Sequence, residues 1–166
     1  MNIIEWLNEN QKKTIAPLPV ETFLERLKVE RTHLLHLFQT DYTTGIGQVL
    51  QEVLPREQET NPVKAFEQKP QVFFVYEQQW EVLTDLMLQK LINIVRKQLL
   101  DEFIIWQKEN AHKMEQDDFA IKYATNVKKI TAGNLSREQI YSRVKLDLYK
   151  YLKAPVKIVN CEVELV

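Results

Sequence analysis

The segment from Gln78 to Glu115 constrains the fold most, because it lacks glycine and proline and has the apolar spacing of one long helix. A first apolar stripe consists of Leu88, Ile92, Val95, Leu99, Phe103 and Trp106. A second consists of Leu83, Met87, Leu91 and Ile94, and a third group of Leu86, Leu100 and Ile104. A helix that is apolar around most of its circumference must be covered on more than one side. We therefore predict a long central helix over residues 78–115, packed by shorter helices.

The rest of the chain predicts shorter helices and a small strand element. The helices are expected over Asn2–Lys12, Pro19–Gln39, Gly47–Leu54, from Asp117 or Asp118 to Ile130, and over Ser136–Lys153, with a turn at Thr40–Gly45. The run VFFVY at 72–76 has the composition of a buried strand, although it also suits the first turn of the following helix. Residues 156–165 are its expected partner. The predicted fold class is α+β, predominantly helical, with a two-strand element formed by 72–76 and 156–165.

Length and composition limit the kind of protein. The 166 residues suit a single domain over 1–166. Residues 55–70 hold three prolines among polar and charged residues, which favours a flexible internal loop. Only three glycines are present, too few for a many-turned β-sandwich or a glycine-rich phosphate loop. Cys161 is the single cysteine, and no apolar run reaches the roughly 18 residues of a membrane helix. We expect a cytoplasmic protein with no membrane partner.

Positive charge collects in the last third of the chain. Nine Lys and Arg face three Asp and Glu between Asp118 and Lys157, although the whole chain has a net charge of −1. Two helices joined by a turn with Gly133 give residues 118–153 the outline of a helix-turn-helix. The side chains expected to contact phosphates or bases are Arg137, Tyr141, Lys145 and Lys150. The alternative is an amphipathic helix whose cations are simply solvated.

Two Glu-x-x-His pairs have the spacing used by di-iron helical bundles. Glu30 precedes His33, and Glu109 precedes His112, by three positions, which places each pair on one helical face. A di-iron site needs two further inward-facing glutamates, and Glu109 lies in a polar run typical of a solvated helix end. The sequence therefore predicts no metal and no cofactor.

One arginine–histidine spacing resembles a known catalytic element. Arg31 and His36 are separated by four residues, and Arg26 and His33 by six. This resembles the Arg-x4-6-His element of HEPN-type helical ribonucleases, in which both side chains act on the scissile phosphate within a polar cleft formed by a dimer. The resemblance covers these residues alone and implies that Arg31 and His36 are the catalytic pair. The alternative is a structural histidine, because His36 lies in HLLHLF, whose apolar residues favour partial burial.

The function classes follow from these patterns. No other polar cluster has catalytic spacing, and the apolar long helix needs more cover than short helices supply. We expect a non-catalytic protein–protein interaction or regulatory protein that forms a homo-oligomer through the long helix, with another protein as a further partner. The alternative is a nucleic-acid-binding protein that uses residues 122–153. The more remote alternative is a HEPN-like ribonuclease.

Overall fold

The computed structural model describes residues 2–54 and 60–155. Over these residues the fold is α+β and predominantly helical, which confirms the predicted class. The helices are α1 (Ile3–Gln11), α2 (Val20–Arg26), α3 (Arg31–Gln39), α4 (Tyr42–Val53), α5 (Asp85–Asn110), α6 (Asp117–Ile130) and α7 (Arg137–Leu152). The strands are β1 (Val63–Phe66), β2 (Phe73–Tyr76), β3 (Trp80–Val82) and β4 (Lys153–Ala154).

The described residues group into two compact units. Among the described residues, unit 1 draws on 2–27, 51–54, 60–88 and 145–155, and unit 2 consists of 28–50 and 89–144. Helices α4, α5 and α7 contribute residues to both units. In the part of the chain that is described, no helix combines the length and apolarity needed to span a membrane. One domain over 1–166 stays a prediction.

Unit 1 contains a four-stranded sheet in the order β3-β2-β1-β4. Strand β2 pairs antiparallel with β1 and β3, while β4 runs parallel to β1. The hydrophobic cluster of this unit consists of Ile3, Leu7, Phe66, Phe74 and Trp80. Asn8 closes the β3 edge: the Trp80 N–H donates to Asn8 Oδ1 at 2.7 Å, and Asn8 Nδ2 donates to the Trp80 carbonyl at 3.3 Å. The amide thus satisfies backbone groups that an edge strand would otherwise expose.

The sheet is larger than the predicted two-strand element. The strand predicted at 72–76 is confirmed as β2. Its expected partner, 156–165, lies outside the described residues. The described neighbours of β2 are β1 and β3, and Lys153–Ala154 forms β4 instead of ending the last helix.

The loop predicted at 55–70 contains a strand. Val63–Phe66 form β1, with Val63, Ala65 and Phe66 buried, so the loop prediction is wrong for these residues. Their partner β2 comes later in the chain, and a four-residue run has too few positions to show a strand period by itself. Residues 55–59 lie outside the described residues.

The long helix is confirmed but shorter than the predicted 78–115. Residues Trp80–Val82 pair with β2 as strand β3, so the helix begins only at Asp85. The Thr84 hydroxyl accepts the Met87 N–H at 3.2 Å and marks this start as an N-cap. At the other end the α-helix stops at Asn110 and a 3₁₀ turn, Ala111–Lys113, follows.

The three predicted apolar groups of this helix have different surroundings. The first stripe, from Leu88 to Trp106, is buried throughout. In the third group, Leu86, Leu100 and Ile104 are exposed by 77%, 46% and 41%. The described residues therefore leave one apolar face of the helix open.

The helix predicted over Pro19–Gln39 is two helices. Helix α2 ends at Arg26 and α3 begins at Arg31. The intervening Val29 N–H donates to Gln98 Oε1 at 2.8 Å, and the Glu30 N–H donates to His33 Nδ1 at 2.8 Å. These donors are bound to side chains instead of helical carbonyls, which explains the break.

The turn predicted at Thr40–Gly45 is mostly helical, because α4 begins at Tyr42. Asp41 caps it: its Oδ1 accepts the Thr44 N–H at 2.8 Å and the Thr43 hydroxyl at 3.1 Å. Burial alone would raise the pKa of Asp41, but these hydrogen bonds outweigh it and lower the pKa. The charged carboxylate therefore suits the helix start.

The two helices predicted in the basic third are confirmed as α6 and α7. Gly133, in the turn between them, has a φ of 58°, a left-handed conformation that favours glycine. A capping box begins α7: Gln139 N–H donates to Ser136 Oγ at 3.1 Å, and Ser136 N–H donates to Gln139 Oε1 at 2.9 Å. The apolar stripe of α7 is buried at Ile140, Val144, Leu148 and Leu152.

Candidate functional site

Arg31, the first member of the proposed ribonuclease pair, is bound to two glutamates. Its Nε lies 3.1 Å from Glu102 Oε2, and its Nη1 lies 2.8 Å from Glu109 Oε2. The hydrogen bond with Glu109 is the main reason that the pKa of Arg31 is raised, and the same contact lowers the pKa of Glu109. The guanidinium joins α3 to α5 in unit 2, and its charge is balanced by the two carboxylates.

His36, the second member, is on another side of α3. Five positions along an α-helix correspond to about 140° of rotation, so Arg31 and His36 point in different directions. His36 is half-buried, and its backbone carbonyl accepts hydrogen bonds from the Thr40 N–H and hydroxyl. Within this helix the two side chains do not converge on a common point.

The predicted histidine–glutamate pairs have structural partners. His33 is buried, and its Nδ1 accepts the Glu30 N–H as part of the start of α3. Glu109 pairs with Arg31, while His112 is exposed in the 3₁₀ turn. Among residues 2–54 and 60–155, no group of three or more His, Cys, Asp and Glu side chains is placed to hold a metal ion.

The four predicted nucleic-acid contacts do not all lie on one side of α7. Arg137, Tyr141 and Lys145 recur every four residues along α7 and therefore share a stripe. Lys150 is five positions beyond Lys145, which places it about 140° around the helix. Lys145 is also 3.4 Å from Asp85 Oδ1, so its charge is already paired.

Another cation of the basic third is bound internally. Lys129 Nζ donates to the backbone carbonyl of Phe38, near the end of α3. This contact lies beside the aromatic cluster of unit 2, where Trp106 and Tyr123 stack with ring centroids 6.0 Å apart. Lys129 therefore takes part in holding α6 against α3.

Unit 2 contains a cavity of about 880 Å³. Its walls come from α4, α5, the end of α6 and the start of α7. Two predicted residues, Arg137 and Tyr141, line it together with Arg96 and Lys97 of α5. The cavity therefore joins the basic third to a part of α5 that was not predicted to belong to a site.

The cavity carries more positive than negative charge. Arg96, Lys97 and Arg137 line it, and Glu138 is the one carboxylate among its described lining residues. Arg96 Nε donates to the Tyr42 hydroxyl at 2.8 Å, and the guanidinium carbon is 5.7 Å from the Tyr42 ring centroid. An anion that enters would meet three cations, one of them held in place by a buried tyrosine.

No sequence pattern predicted that Arg96 and Lys97 would line a cavity. They are adjacent on a helix that is otherwise rich in apolar residues, and that pattern equally fits two solvated charges. The cavity that they line is completed by residues of α7, which follows α6 in the sequence. One sequence feature could have indicated the cavity: two adjacent cations, Arg96 and Lys97, lie one helical turn before Leu100, which is exposed.

Comparison with known proteins assigns no function to this geometry: no family model matches the chain, and neither the curated proteins nor the solved structures contain a match.

Proposed function

We propose that this protein is a non-catalytic interaction or regulatory protein that pairs with a second copy of itself through α5. The observation that supports this proposal is the apolar face of α5 in unit 2, where Leu100, Ile104 and Ile105 are exposed by 46%, 41% and 47%. Covering such side chains stabilises an interface by roughly 25 cal/mol for each Å² removed from water. An isologous contact between two copies covers the same residues on both.

Two charged residues on this face fit an antiparallel pair. At about 100° per residue, Ile104, Lys108, Asp101 and Ile105 lie within an arc of about 100° on α5. Asp101 and Lys108 are exposed, and neither forms an ion pair within the described residues. A twofold axis between Ile104 and Ile105 would set Asp101 of each copy opposite Lys108 of the other. The isoleucines would then meet at the centre, with a charge pair on either side.

We expect Asp101→Lys to convert a dimer into a monomer. The substitution sets two lysines opposite each other at both ends of the contact, where like charges oppose association. The double variant Asp101→Lys with Lys108→Asp restores opposite charges and should restore the dimer. Sedimentation velocity from low to high micromolar concentration measures both. We expect at least a tenfold change in the dimer dissociation constant, or about 1.4 kcal/mol.

Glu25→Lys is the matched control for this charge change. Glu25 is exposed on α2, so the variant alters net charge equally without touching α5. It should leave the dissociation constant unchanged. A wild-type protein that sediments as a monomer at high micromolar concentration would contradict the proposal, and a double variant that stays monomeric would contradict the antiparallel arrangement.

Nucleic-acid binding by residues 122–153 is a second proposal. It is supported by the position of Arg137 and Tyr141 beside Arg96 and Lys97 around one cavity. Each phosphate contact to a single strand should lower log affinity by about 0.7 for each unit of log salt. Fluorescence anisotropy of a labelled oligonucleotide at several salt concentrations measures this slope, and a slope near zero would oppose the proposal.

A further inference from the structure

The cavity of unit 2 carries three cations against the single carboxylate of Glu138 among its described lining residues. Arg96, Lys97 and Arg137 all line it, and none of them forms an ion pair with another described residue. Cations around one concave space repel one another, and walls of low polarity strengthen the repulsion. A bound anion would remove this repulsion, and the anion would be attracted by the same field.

Arg96 is held in an orientation suited to an oxyanion. Its Nε is used by the Tyr42 hydroxyl, and its plane lies near the Tyr42 ring, while its terminal nitrogens have no hydrogen-bond partner among the described residues. Tyr42 is itself buried, so the arginine rests on a fixed support. A guanidinium fixed in this way can donate two parallel hydrogen bonds to a phosphate.

Arg137 occupies a position that gives its own helix no benefit. It is the first residue of α7, where the helix dipole disfavours a positive charge. The start of α7 already has its capping box from Ser136 and Gln139. The guanidinium of Arg137 is therefore available to the cavity and is not needed to form the helix.

The remaining walls fit a planar group better than a bare ion. The volume of about 880 Å³ lies within the roughly 300–1,000 Å³ of sites for small organic ligands, and far exceeds what one phosphate fills. Ile92, Ile140 and the half-buried Tyr141 offer apolar and aromatic surface. The amides of Gln89 and Asn93 supply donors and acceptors of the kind that match base edges.

We infer that this cavity binds a nucleotide, with the phosphate against Arg96, Lys97 and Arg137 and the base against Tyr141 and the apolar wall. Glu138, the carboxylate of the wall, can accept hydrogen bonds from ribose hydroxyls. The same chemistry is offered by a free nucleotide and by one nucleotide of a single strand. All the residues that line the site belong to unit 2 of a single copy.

Calorimetric titration at low salt with three probes tests the inference. The probes are ADP, its uncharged relative adenosine, and a short single-stranded oligoadenylate. We expect ADP or the oligoadenylate to bind at least tenfold more tightly than adenosine. Lys97→Gln and Arg137→Gln should each weaken that binding about tenfold, the usual effect of losing one charge-assisted hydrogen bond.

Two controls separate loss of binding from loss of structure. Lys28→Gln removes an exposed cation of unit 2 that neither lines the cavity nor belongs to residues 122–153, and it should bind as the wild type does. Because Lys97 and Arg137 are exposed, their glutamine variants should melt at the wild-type temperature by circular dichroism. ADP binding would assign the site to free nucleotides, and oligoadenylate binding alone would assign it to a strand.

Three results would each overturn the inference that the cavity binds a nucleotide. Failure of both ADP and the oligoadenylate to bind would overturn the inference. Strand binding that falls with salt but is unchanged in Lys97→Gln and Arg137→Gln would support nucleic-acid binding elsewhere on the chain and overturn the cavity site. Equal binding of ADP and adenosine would also overturn it, because the cations would then play no part.

Discussion

Leu148→Ala is expected to lower the free energy of unfolding by about 2–5 kcal/mol. The Leu148 side chain has no exposed surface, and it belongs to the buried stripe of α7. Truncation removes its apolar contacts and leaves a cavity that neighbouring side chains fill only in part, which explains the range. Urea unfolding followed by circular dichroism measures the change in midpoint, and the slope shows whether the surface exposed on unfolding is unchanged.

Lys150→Ala is the matched control two residues further along α7. Lys150 is exposed and makes no ion pair within the described residues, so its removal should change stability by less than about 0.5 kcal/mol. Similar losses for Leu148→Ala and Lys150→Ala would mean that α7 presents a different face to the core. A loss below about 1 kcal/mol for Leu148→Ala alone would have the same meaning.

Helix α7 shows what local sequence could establish. Ser136 and Gln139 have capping-box spacing, and Ile140 and Leu148 belong to a stripe with the helical period. Both signals are complete within one segment, and neither needs a distant residue to be recognised. Helix α1 was predicted correctly for the same reason, since Asn2 and Glu5 form its capping box.

The strands were harder to predict, because a strand is defined by its partner. Val63–Phe66 and Trp80–Val82 are short, and each becomes recognisable only when paired with β2. These two runs contain no more apolar residues than an ordinary loop or the first turn of a helix contains. The start of α5 did have a local signal, because Thr84 and Asp85 are a usual N-cap and first-turn pair. The apolar periodicity before Thr84 led to a predicted helix that began too early.

Some residues of the candidate site could be predicted from local sequence, and others could not. The basic third predicted Arg137 and Tyr141 as binding residues, and the structure brings these two to one cavity. The glutamates that bind Arg31 are more than seventy positions away in sequence, so no local pattern could show that its charge is balanced. Arg96 was unrecognised for the same reason: its partner Tyr42 precedes it by 54 positions.

The two glycines of α4 should respond to alanine in opposite directions. A Cβ on Gly45 would lie 2.8 Å from the Leu37 Cβ and 2.9 Å from its Cγ and Cδ1. Leu37 is fully buried on α3, so it has no room to withdraw. We expect Gly45→Ala to cost about 1–3 kcal/mol through overpacking, less the roughly 1 kcal/mol that alanine returns through helix propensity.

Gly47 is the internal control, because a Cβ there meets no atom within 4 Å. Gly47→Ala should therefore raise the free energy of unfolding by about 0.5–1 kcal/mol, since alanine loses less backbone entropy on forming the helix. Adding Gly45→Ala to a Leu37→Ala background should cost less than adding it to the wild type, because the clashes with Cγ and Cδ1 are removed while the one with Cβ remains. Urea unfolding of these variants measures the coupling. If Gly45→Ala stabilises the protein as much as Gly47→Ala does, α3 and α4 do not approach each other at Gly45 as closely as described.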